Sequence, residues 1–456
     1  MFGKTDGIRA KAGEVPLVEK VVEGIGAAID AFFANKNGEI WLARDTRESG
    51  VWIEENLRKK MRKSKDLGVL PTPVLAVVGK HAKDEVAAVM VTASHNPAED
   101  NGIKVFDENG DKISDADERK IEAEFFGEHD ESEYAKAFKE KAGEKHQTGI
   151  IDLSYQEQAE SIYKKALRAQ LGLTKALKQT IIVDAASGAG HKFSPAVLKS
   201  FGVTVRQIDQ TPDGKNINKA CGALFPEKTA KEAKQAKLVG VSYDGDADRI
   251  ILVDETGRIW DGDRIVVLMA EYLKQKGELK SEGVVLTEYS NLATLEYLEN
   301  RGIKVAKVVN GDREVAKKCL AKGLVLGGER SGHIIYLPWL SSSDGLFITL
   351  MVLKIMQEKG KRLCDLWADY TEKPNRQWGV LVREKRPLEE IAGFQEAQKE
   401  AQKVLGKKGR VFCRYSGTEN KLRILVEAEE LAQAEEIGAK LVKVVTEAIG
   451  VMEKGA

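Results

Sequence analysis

The sequence predicts an α/β protein of several domains, and three observations carry that prediction. At 456 residues the chain exceeds what one hydrophobic core organises, since domains run to ~100–200 residues; three or four are expected. Three segments repeat one theme: a β-rich apolar run, a glycine- or turn-rich loop, then a helical period. After Lys373-Pro374 the pattern changes to strand, loop, strand and one long helix, which is α+β.

The first segment opens with EIWLARDTRES and reaches AAVMVTASHNP; between them the basic run Arg58-Lys59-Lys60-Met61-Arg62-Lys63 reads as the solvated face of a helix. The second runs from QTIIVDAASGAGHKFSPAVLKSFG to AKLVGVSYDGDADRIILVD, and the third from EGVVLTEYSNLATLEYLENRG to GLVLGGERSGHIIY. Strands alternating with helices of this length indicate βαβ units and mainly parallel sheets. The repeat is one of architecture, because no fixed residue period survives inspection. Residues 127–150 are polar and mark a surface crossing into the second domain. The tail follows GRVFCRYSGTENKLRILVEAEE with a helix from Leu431 to Ile449. Boundaries near 148, 250 and 370 give domains 1–148, 149–250, 251–370 and 371–456.

Lysine plus arginine equals aspartate plus glutamate at 71 each, so nothing in the balance argues for a nucleic-acid partner. Cys221, Cys319, Cys364 and Cys413 are scattered without a C-x-x-C pair, which suits reduced thiols and argues against a disulfide framework or structural zinc. The opening MFGKTDGIRAKAGE has no apolar h-region, and no apolar run approaches the ~20 residues that cross a bilayer. The expectation is a cytoplasmic protein with no membrane partner.

Four loops carry the chemistry. In VMVTASHNPAEDNGIKVF, residues 89–106, a strand delivers Ser94 into a loop. A serine hydroxyl is a poor nucleophile unless something takes its proton or holds a phosphoryl acceptor in line. His95, next along a strand, would point to the opposite face, which argues against a simple Ser-His relay. The stretch also reads as an Asx/Pro turn closing a strand, and the loop alone leaves both readings open.

In SYDGDADRI, residues 242–250, Asp244, Asp246 and Asp248 alternate with only Gly245 and Ala247 between them. Three carboxylates this close repel, and an all-oxygen set suits Mg2+, which keeps positions open for phosphate oxygens. Glu255 falls at the twelfth position of an EF-hand count, but the sixth is Arg249 where that loop needs glycine, and a strand follows. In GGERSGH, residues 327–333, two glycines would let backbone approach a ligand, and Glu329, Ser331 and His333 supply groups suited to vicinal sugar hydroxyls. In RYSGTEN, residues 414–420, Arg414, Ser416, Gly417 and Thr418 can make an anion cradle. Together they form an inventory for moving phosphoryl groups on a sugar phosphate, chemistry that asks mainly for positioning and charge stabilisation.

In this order, FGKTDGIRA, TASHNP, DGDADR, GERSGH and RYSGTEN resemble the α-D-phosphohexomutase family across essentially the whole chain. INKACGALFPE at 217–227 and RYSGTENKLRILVE at 414–427 resemble its branch that acts on glucosamine phosphates. The resemblance implies a heart-shaped, four-domain protein: three related α/β domains with mixed sheets and a C-terminal α+β domain. It implies that Ser94 is carried as phosphoserine, gives its phosphoryl to the substrate, and regains one from a bisphosphorylated sugar. The implied reaction interconverts glucosamine 6-phosphate and glucosamine 1-phosphate, toward UDP-N-acetylglucosamine. Glucose 1,6-bisphosphate or glucosamine 1,6-bisphosphate would be the activator, a phosphosugar the small-molecule substrate, and a homodimer is compatible with the family.

By the same resemblance Ser94, Asp244, Asp246 and Asp248 bind Mg2+, and Lys104 does general acid/base work, which requires neighbours or burial to lower its pKa. Phosphoserine adds roughly −1.5 to −2 charges to those of the aspartates, which a cation would offset. Arg9 and Arg249 flank the phosphoserine, and His95 and His333 orient groups. Glu329 and Ser331 read sugar hydroxyls, while Arg414, Ser416, Gly417 and Thr418 clamp the phosphate not being transferred. One clamp for both phosphates means that the sugar flips, with movement of the C-terminal domain.

Departures from the family pattern are Lys4, which looks inserted, and Ala10, where glycine is usual. Arg330 fills the variable position of GERSGH, and the span from Ser49 to Pro71 is short enough to put one helix-strand crossing in doubt. The alternatives are phosphomannomutase or phosphoglucomutase chemistry by the same mechanism, a metal-dependent sugar phosphatase, and a non-catalytic sensor.

Overall fold

The computed structural model describes residues 7–34, 38–82, 86–127, 153–209, 211–416 and 420–451. The surface crossing expected at 127–150 lies, but for Gly127, outside the described residues. Two compact units emerge: residues 1–287 with 306–368, and residues 288–305 with 369–456.

The first unit starts with β1 (Ile8–Lys11), α1 (Glu19–Phe32), β2 (Glu39–Arg44), α2 (Glu48–Arg58), β3 (Ser64–Val69), α3 (Thr72–His81), β4 (Val86–Val91), β5 (Asp100–Phe106) and α4 (Asp115–Gly127). The sheet order is β1-β5-β4-β2-β3. Strand β2 pairs parallel with both β3 and β4, whereas β5 runs antiparallel to β4 and β1. Val21, Val22, Ile25, Ala28 and Ile29 form a helical stripe on α1 that packs with Ile40, Leu42, Val89 and Val91 of the sheet.

The plan recurs in β6 (Thr180–Asp184), β7 (Thr204–Ile208), β8 (Val239–Tyr243), β9 (Ile250–Val253) and β10 (Ile259–Trp260), with α5 (Leu153–Leu171), α6 (Gly190–Ser200) and α7 (Glu227–Ala236). Here the order is β10-β9-β8-β6-β7, with β6 parallel to β7 and β8, and β9 antiparallel to β8 and β10. A third sheet orders β11 (Gly283–Thr287), β12 (Lys304–Val308), β13 (Leu326–Gly328) and β14 (Ile334–Tyr336) as β12-β11-β13-β14, with β11 and β13 parallel and β14 antiparallel. Helices α8 (Gly262–Gln275), α10 (Asp312–Lys322) and α11 (Gly345–Lys359) belong to the same unit, whereas α9 (Leu292–Asn300) falls in the second unit.

The sheets are therefore mixed. The expectation of mainly parallel sheets holds for the βαβ half of each, and a hairpin return strand supplies the antiparallel half. The consequence for the site is direct. The strands β4, β8 and β13 occupy equivalent positions, each between a parallel and an antiparallel neighbour. The loops that leave their C-terminal ends carry Ser94, Asp244 and Glu329, the end of an α/β sheet where ligands bind.

In the second unit, β15 (Asn375–Leu381), β17 (Lys421–Glu427) and β16 (Arg410–Tyr415) form an antiparallel sheet in the order β15-β17-β16. With α12 (Phe394–Leu405) and α13 (Leu431–Ile449) it buries Val380, Leu422, Ile424, Val426, Leu441 and Val445. Among the described residues no helix is long and apolar enough to cross a membrane.

Two readings of the first domain are corrected. The basic run is not a helix face: α2 ends at Arg58, and Lys59, Lys60, Arg62 and Lys63 lie exposed in the connection to β3. The crossing placed in doubt is complete, because β3 pairs in parallel with β2 after that short connection.

Two buried carboxylates give tests of the fold. Asp344 caps α11 by accepting from the Leu346 and Phe347 N–H groups, both at 3.0 Å. It also accepts from Trp339 Nε1 at 2.8 Å and the Tyr163 hydroxyl at 2.9 Å. Asp344→Ala removes the cap and strands two buried donors, so a loss of roughly 3–5 kcal/mol is expected in chemical denaturation. A loss below about 1 kcal/mol would refute that account.

Glu54 lies against Arg44, with Asp66 on the same guanidinium. Burial pushes its carboxyl up to about 8 despite the pull of Arg44, and the negative charge of Asp66 adds to the rise. A carboxyl raised in the folded state binds its proton more tightly there than in the unfolded chain. Its contribution to stability is full below about pH 4.5 and is lost as pH rises to about 8. In Glu54→Gln that decline should flatten in denaturation titrations across this window, and an unchanged slope would exclude Glu54 as its source.

Candidate active site

Strand β4 ends at Val91 and delivers Ser94 in a left-handed backbone conformation, φ 54°, where it is 1% exposed. Three groups hold that kink. The Ser94 N–H donates to Thr92 Oγ1 at 2.9 Å. Arg47 Nη2 donates to the carbonyls of Ser94 at 3.1 Å and Asn96 at 2.6 Å, and Asn218 Nδ2 to the same two at 2.9 and 3.1 Å. Because Ser94 has left strand geometry, alternation no longer separates it from its neighbour. Its Oγ lies 3.3 Å from His95 Nδ1, so the expectation that His95 faces away is corrected. Burial, then Arg249 and Arg9, push the His95 imidazole down to about 2, leaving it neutral near pH 7.

Strand β8 delivers the aspartates. Asp244, Asp246 and Asp248 are buried, and one oxygen of each lies within 4.8 Å of the others. Ser94 Oγ donates to Asp244 Oδ2 at 2.7 Å, which places the hydroxyl on this cluster. Lys104, buried on β5, donates to Asp246 Oδ2 at 2.7 Å and Asp248 Oδ2 at 3.1 Å. Thr72 Oγ1, at the start of α3, donates to Asp246 Oδ2 at 2.5 Å. Burial, then the charges of Asp248 and Asp246, drive the Asp244 carboxyl well above the usual range. Burial acts the same way on the other two, but Lys104 with Thr72 leaves Asp246 below its ordinary value, and Lys104, His333, Lys112 and Arg249 together hold Asp248 at about 2.

The donor set fits a hard cation. Asp246 Oδ1 and Asp248 Oδ1 are buried with no hydrogen-bond donor, a costly arrangement that a cation on an all-oxygen cluster would relieve. Gly245 is required between the first two aspartates: a Cβ there would lie 2.6 Å from the Ser94 carbonyl oxygen. The EF-hand is excluded as expected, since β9 follows the loop and Glu255 instead accepts from the Leu363 and Cys364 N–H groups.

The two arginines are at hand. Arg249 donates its backbone N–H to Asp244 Oδ1 at 3.1 Å and holds Nε 4.0 Å from Asp244 Oδ2. Arg9 Nη1 reaches the Ala93 carbonyl at 3.4 Å.

Strand β13 delivers the third loop. Glu329 is buried, accepts from the Gly311 N–H at 2.6 Å, and accepts from Ser331 Oγ at 3.0 Å. His333 Nδ1 sits 3.6 Å from Asp248 Oδ1, which joins this loop to the aspartate cluster. Gly327 and Gly328 do not open the backbone to a ligand. They make room for Val315, Cys319 and Val266 of the packed core, which corrects the reading of them. Arg330 pairs with Asp261 at 2.9 Å.

The fourth loop belongs to the second unit. Arg414 Nε donates to the Tyr289 hydroxyl at 3.1 Å, and the guanidinium lies over that ring at 5.1 Å. Ser416 is buried, and its carbonyl accepts from Lys385 Nζ at 2.8 Å. Gly417 and Thr418 lie outside the described residues.

Four site residues escaped the sequence reading: Arg47, Thr72, Asn218 and Ser343. Ser343 Oγ donates to the Asp248 carbonyl at 2.6 Å and accepts from the Ile334 N–H at 2.9 Å. A signal existed for two of them. Arg47 lies in the quoted RDTRES and Asn218 in INKACGALFPE, stretches that had no assigned role.

All four domains of one family match along the chain. Phosphoglucomutase/phosphomannomutase alpha/beta/alpha domain I matches residues 1–132, domain II 159–257, domain III 261–373 and the C-terminal domain 380–444. The chain is 36% identical over 461 residues to phosphoglucosamine mutase of Koribacter versatilis, covering 99% of this chain and 97% of that one. Against phosphoglucosamine mutase of Chlamydia trachomatis it is 37% identical over 459 residues, covering 99% and 97%. Among solved structures, a phosphoglucomutase/phosphomannomutase family protein of Burkholderia thailandensis superposes with TM-score 0.74 at 20% identity, covering 99% of this chain and 100% of that one. Aspergillus fumigatus N-acetylphosphoglucosamine mutase, in complex with GlcNAc-6P and magnesium, superposes with TM-score 0.62 at 22% identity, covering 83% and 93%. With full-length relatives at this identity and every domain matched in order, the chain belongs to the α-D-phosphohexomutase family.

Proposed function

We propose that the protein is a phosphoglucosamine mutase, an isomerase that interconverts glucosamine 6-phosphate and glucosamine 1-phosphate through phospho-Ser94. One observation carries the reading: a buried serine hydroxyl sits on a three-aspartate cluster that is bridged by a buried lysine. Full-length relatives named for this activity support the choice of sugar.

In the proposed cycle a sugar hydroxyl oxygen attacks phosphorus as the phosphorus–Oγ bond of Ser94 breaks, giving a bisphosphorylated sugar and free serine. Lys104, an ammonium in its contacts with Asp246 and Asp248, gives a proton to the departing Ser94 Oγ and then takes the one released by the sugar hydroxyl. The other phosphoryl then returns to Ser94 by the reverse chemistry, which leaves the isomerised monophosphate. Asp244, Asp246 and Asp248, with Ser94, would hold Mg2+, which supplies charge stabilisation and makes phosphorus more electrophilic. Neutral His95 orients the Ser94 oxygen, and Arg9 and Arg249 offset phosphoserine charge. Glu329, Ser331 and His333 face the sugar, and Arg414, Ser416, Gly417 and Thr418 grip the distal phosphate. Glucose 1,6-bisphosphate or glucosamine 1,6-bisphosphate would prime the serine. The division into domains at about 148, 250 and 370 is part of the same proposal. So is a cytoplasmic location, with which four unpaired cysteines accord.

The test is the intact mass of the protein before and after incubation with glucosamine 6-phosphate, a trace of glucose 1,6-bisphosphate and Mg2+, with product followed in the same run. One phosphate adduct on Ser94 accompanied by glucosamine 1-phosphate is expected. Turnover of glucose or mannose phosphates alone would move the substrate. Net release of inorganic phosphate would make the protein a phosphatase, and an unmodified Ser94 without product would sink the mechanism.

A further inference from the structure

INKACGALFPE, residues 217–227, has no part in the cycle above, yet Asn218 reaches the nucleophile loop from the second domain. Its Nδ2 spends both hydrogens on that loop, one on the Ser94 carbonyl at 2.9 Å and one on the Asn96 carbonyl at 3.1 Å. Those carbonyls, two residues apart and following the left-handed Ser94, converge on the same two donors, Arg47 Nη2 and Asn218 Nδ2. Unshared, they would repel each other and the kink would relax toward ordinary strand geometry. Arg47 shares them from within the first domain, and its buried guanidinium is in turn paired with Asp45. Asp45 Oδ2 accepts from Thr92 Oγ1 at 2.5 Å, and Thr92 Oγ1 accepts the Ser94 N–H, so the ring closes on the serine.

Asn218 is 6% exposed and itself left-handed, φ 58°, with its N–H fixed on the Ala186 carbonyl at 3.0 Å. A backbone conformation that non-glycine residues rarely adopt persists only where its surroundings over-determine it, and here Thr92 and Arg47 from the first domain and Asn218 from the second do so. The backbone turn at Ser94 sets where its Cβ leaves the chain, and from there Oγ is held on Asp244 at 2.7 Å.

Resting on the phosphoserine reading, we infer that Asn218 is a positioning residue for phosphoryl transfer. It holds the Ser94 and Asn96 carbonyls so that phospho-Ser94 meets the sugar hydroxyl in line rather than water. If the loop relaxes, water takes the place of the sugar: the phosphorus–Oγ bond breaks, a bond to water oxygen forms, inorganic phosphate leaves and Ser94 Oγ regains a proton.

The experiment compares wild type with Asn218→Gly, which keeps left-handed backbone accessible, and Asn218→Asp, which keeps shape but aims acceptors at the carbonyls. Each is primed with glucose 1,6-bisphosphate. The readouts are kcat, KM, thermal midpoint and the ratio of inorganic phosphate released to glucosamine 1-phosphate formed. The expected result is kcat down by roughly 10- to 100-fold with KM little changed and the phosphate-to-product ratio up about tenfold or more, the aspartate variant being worse. Wild-type kcat and ratio in both variants would overturn the inference. So would a fall in kcat that follows the thermal midpoint with the ratio unchanged, since that is the mark of a structural role only. A wild type that takes no phosphate on Ser94 would overturn the mutase reading and this inference with it.

Discussion

Ser94→Ala should abolish mutase turnover, by roughly 10⁴-fold or more, and erase the phosphate adduct seen by intact mass. No substitute nucleophile stands ready. The neighbouring Thr92 hydroxyl is committed to Asp45 and to the Ser94 N–H, and Thr72 is committed to Asp246. Serine already bears a Cβ at this left-handed position, so alanine adds little strain; the lost hydrogen bond from Oγ to buried Asp244, worth about 1 kcal/mol, makes a small fall in thermal midpoint the expected accompaniment. A variant that keeps a tenth of wild-type turnover would remove the serine from the mechanism, whatever its stability.

Chelation is the second large effect. EDTA should lower turnover by at least about 10³-fold, and added Mg2+ should restore it. Calorimetric titration of Mg2+ into the chelated protein gives a readout that does not depend on activity. Asp248→Asn should weaken that binding, because Asp248 Oδ1 is one of the buried oxygens left without a donor. Full activity after exhaustive chelation would mean that Lys104, which already bridges Asp246 and Asp248, neutralises the cluster alone. That outcome would exclude a resident cation.

What the sequence disclosed, and what it hid, follows from distance along the chain. Asp244, Asp246 and Asp248 crowd into five residues, and charge that dense in a short loop has few explanations. The terminal helix was legible to its last residue, Leu431–Ile449, because an amphipathic period of that length competes with nothing. Arg47, Asn218, Thr72 and Ser343 act on backbone or carboxylate groups 47, 124, 174 and 95 residues away, and composition carries no trace of such pairings. The orientation of His95 was misjudged for a related reason. A positive φ at serine is imposed by its surroundings and not by its residue type, so strand alternation was applied one residue too far. The basic run after Arg58 looked helical because lysine and arginine are good helix formers, but its only buried residue, Met61, anchors a turn.

The contact of Ser94 Oγ with Asp244 and of Lys104 with Asp246 and Asp248 also sets a timetable for biosynthesis. The nucleophile leaves the ribosome about 150 residues before the first carboxylate that will face it. For that interval the nascent chain holds Ser94 and Lys104 without Asp244, Asp246 and Asp248, and so without the proposed centre. On the phosphoserine proposal, loading of Ser94 by the protein's own chemistry would wait until the second sheet has closed on the first. On that proposal, premature termination anywhere before residue 244 should yield a catalytically silent fragment rather than an unregulated phosphotransferase.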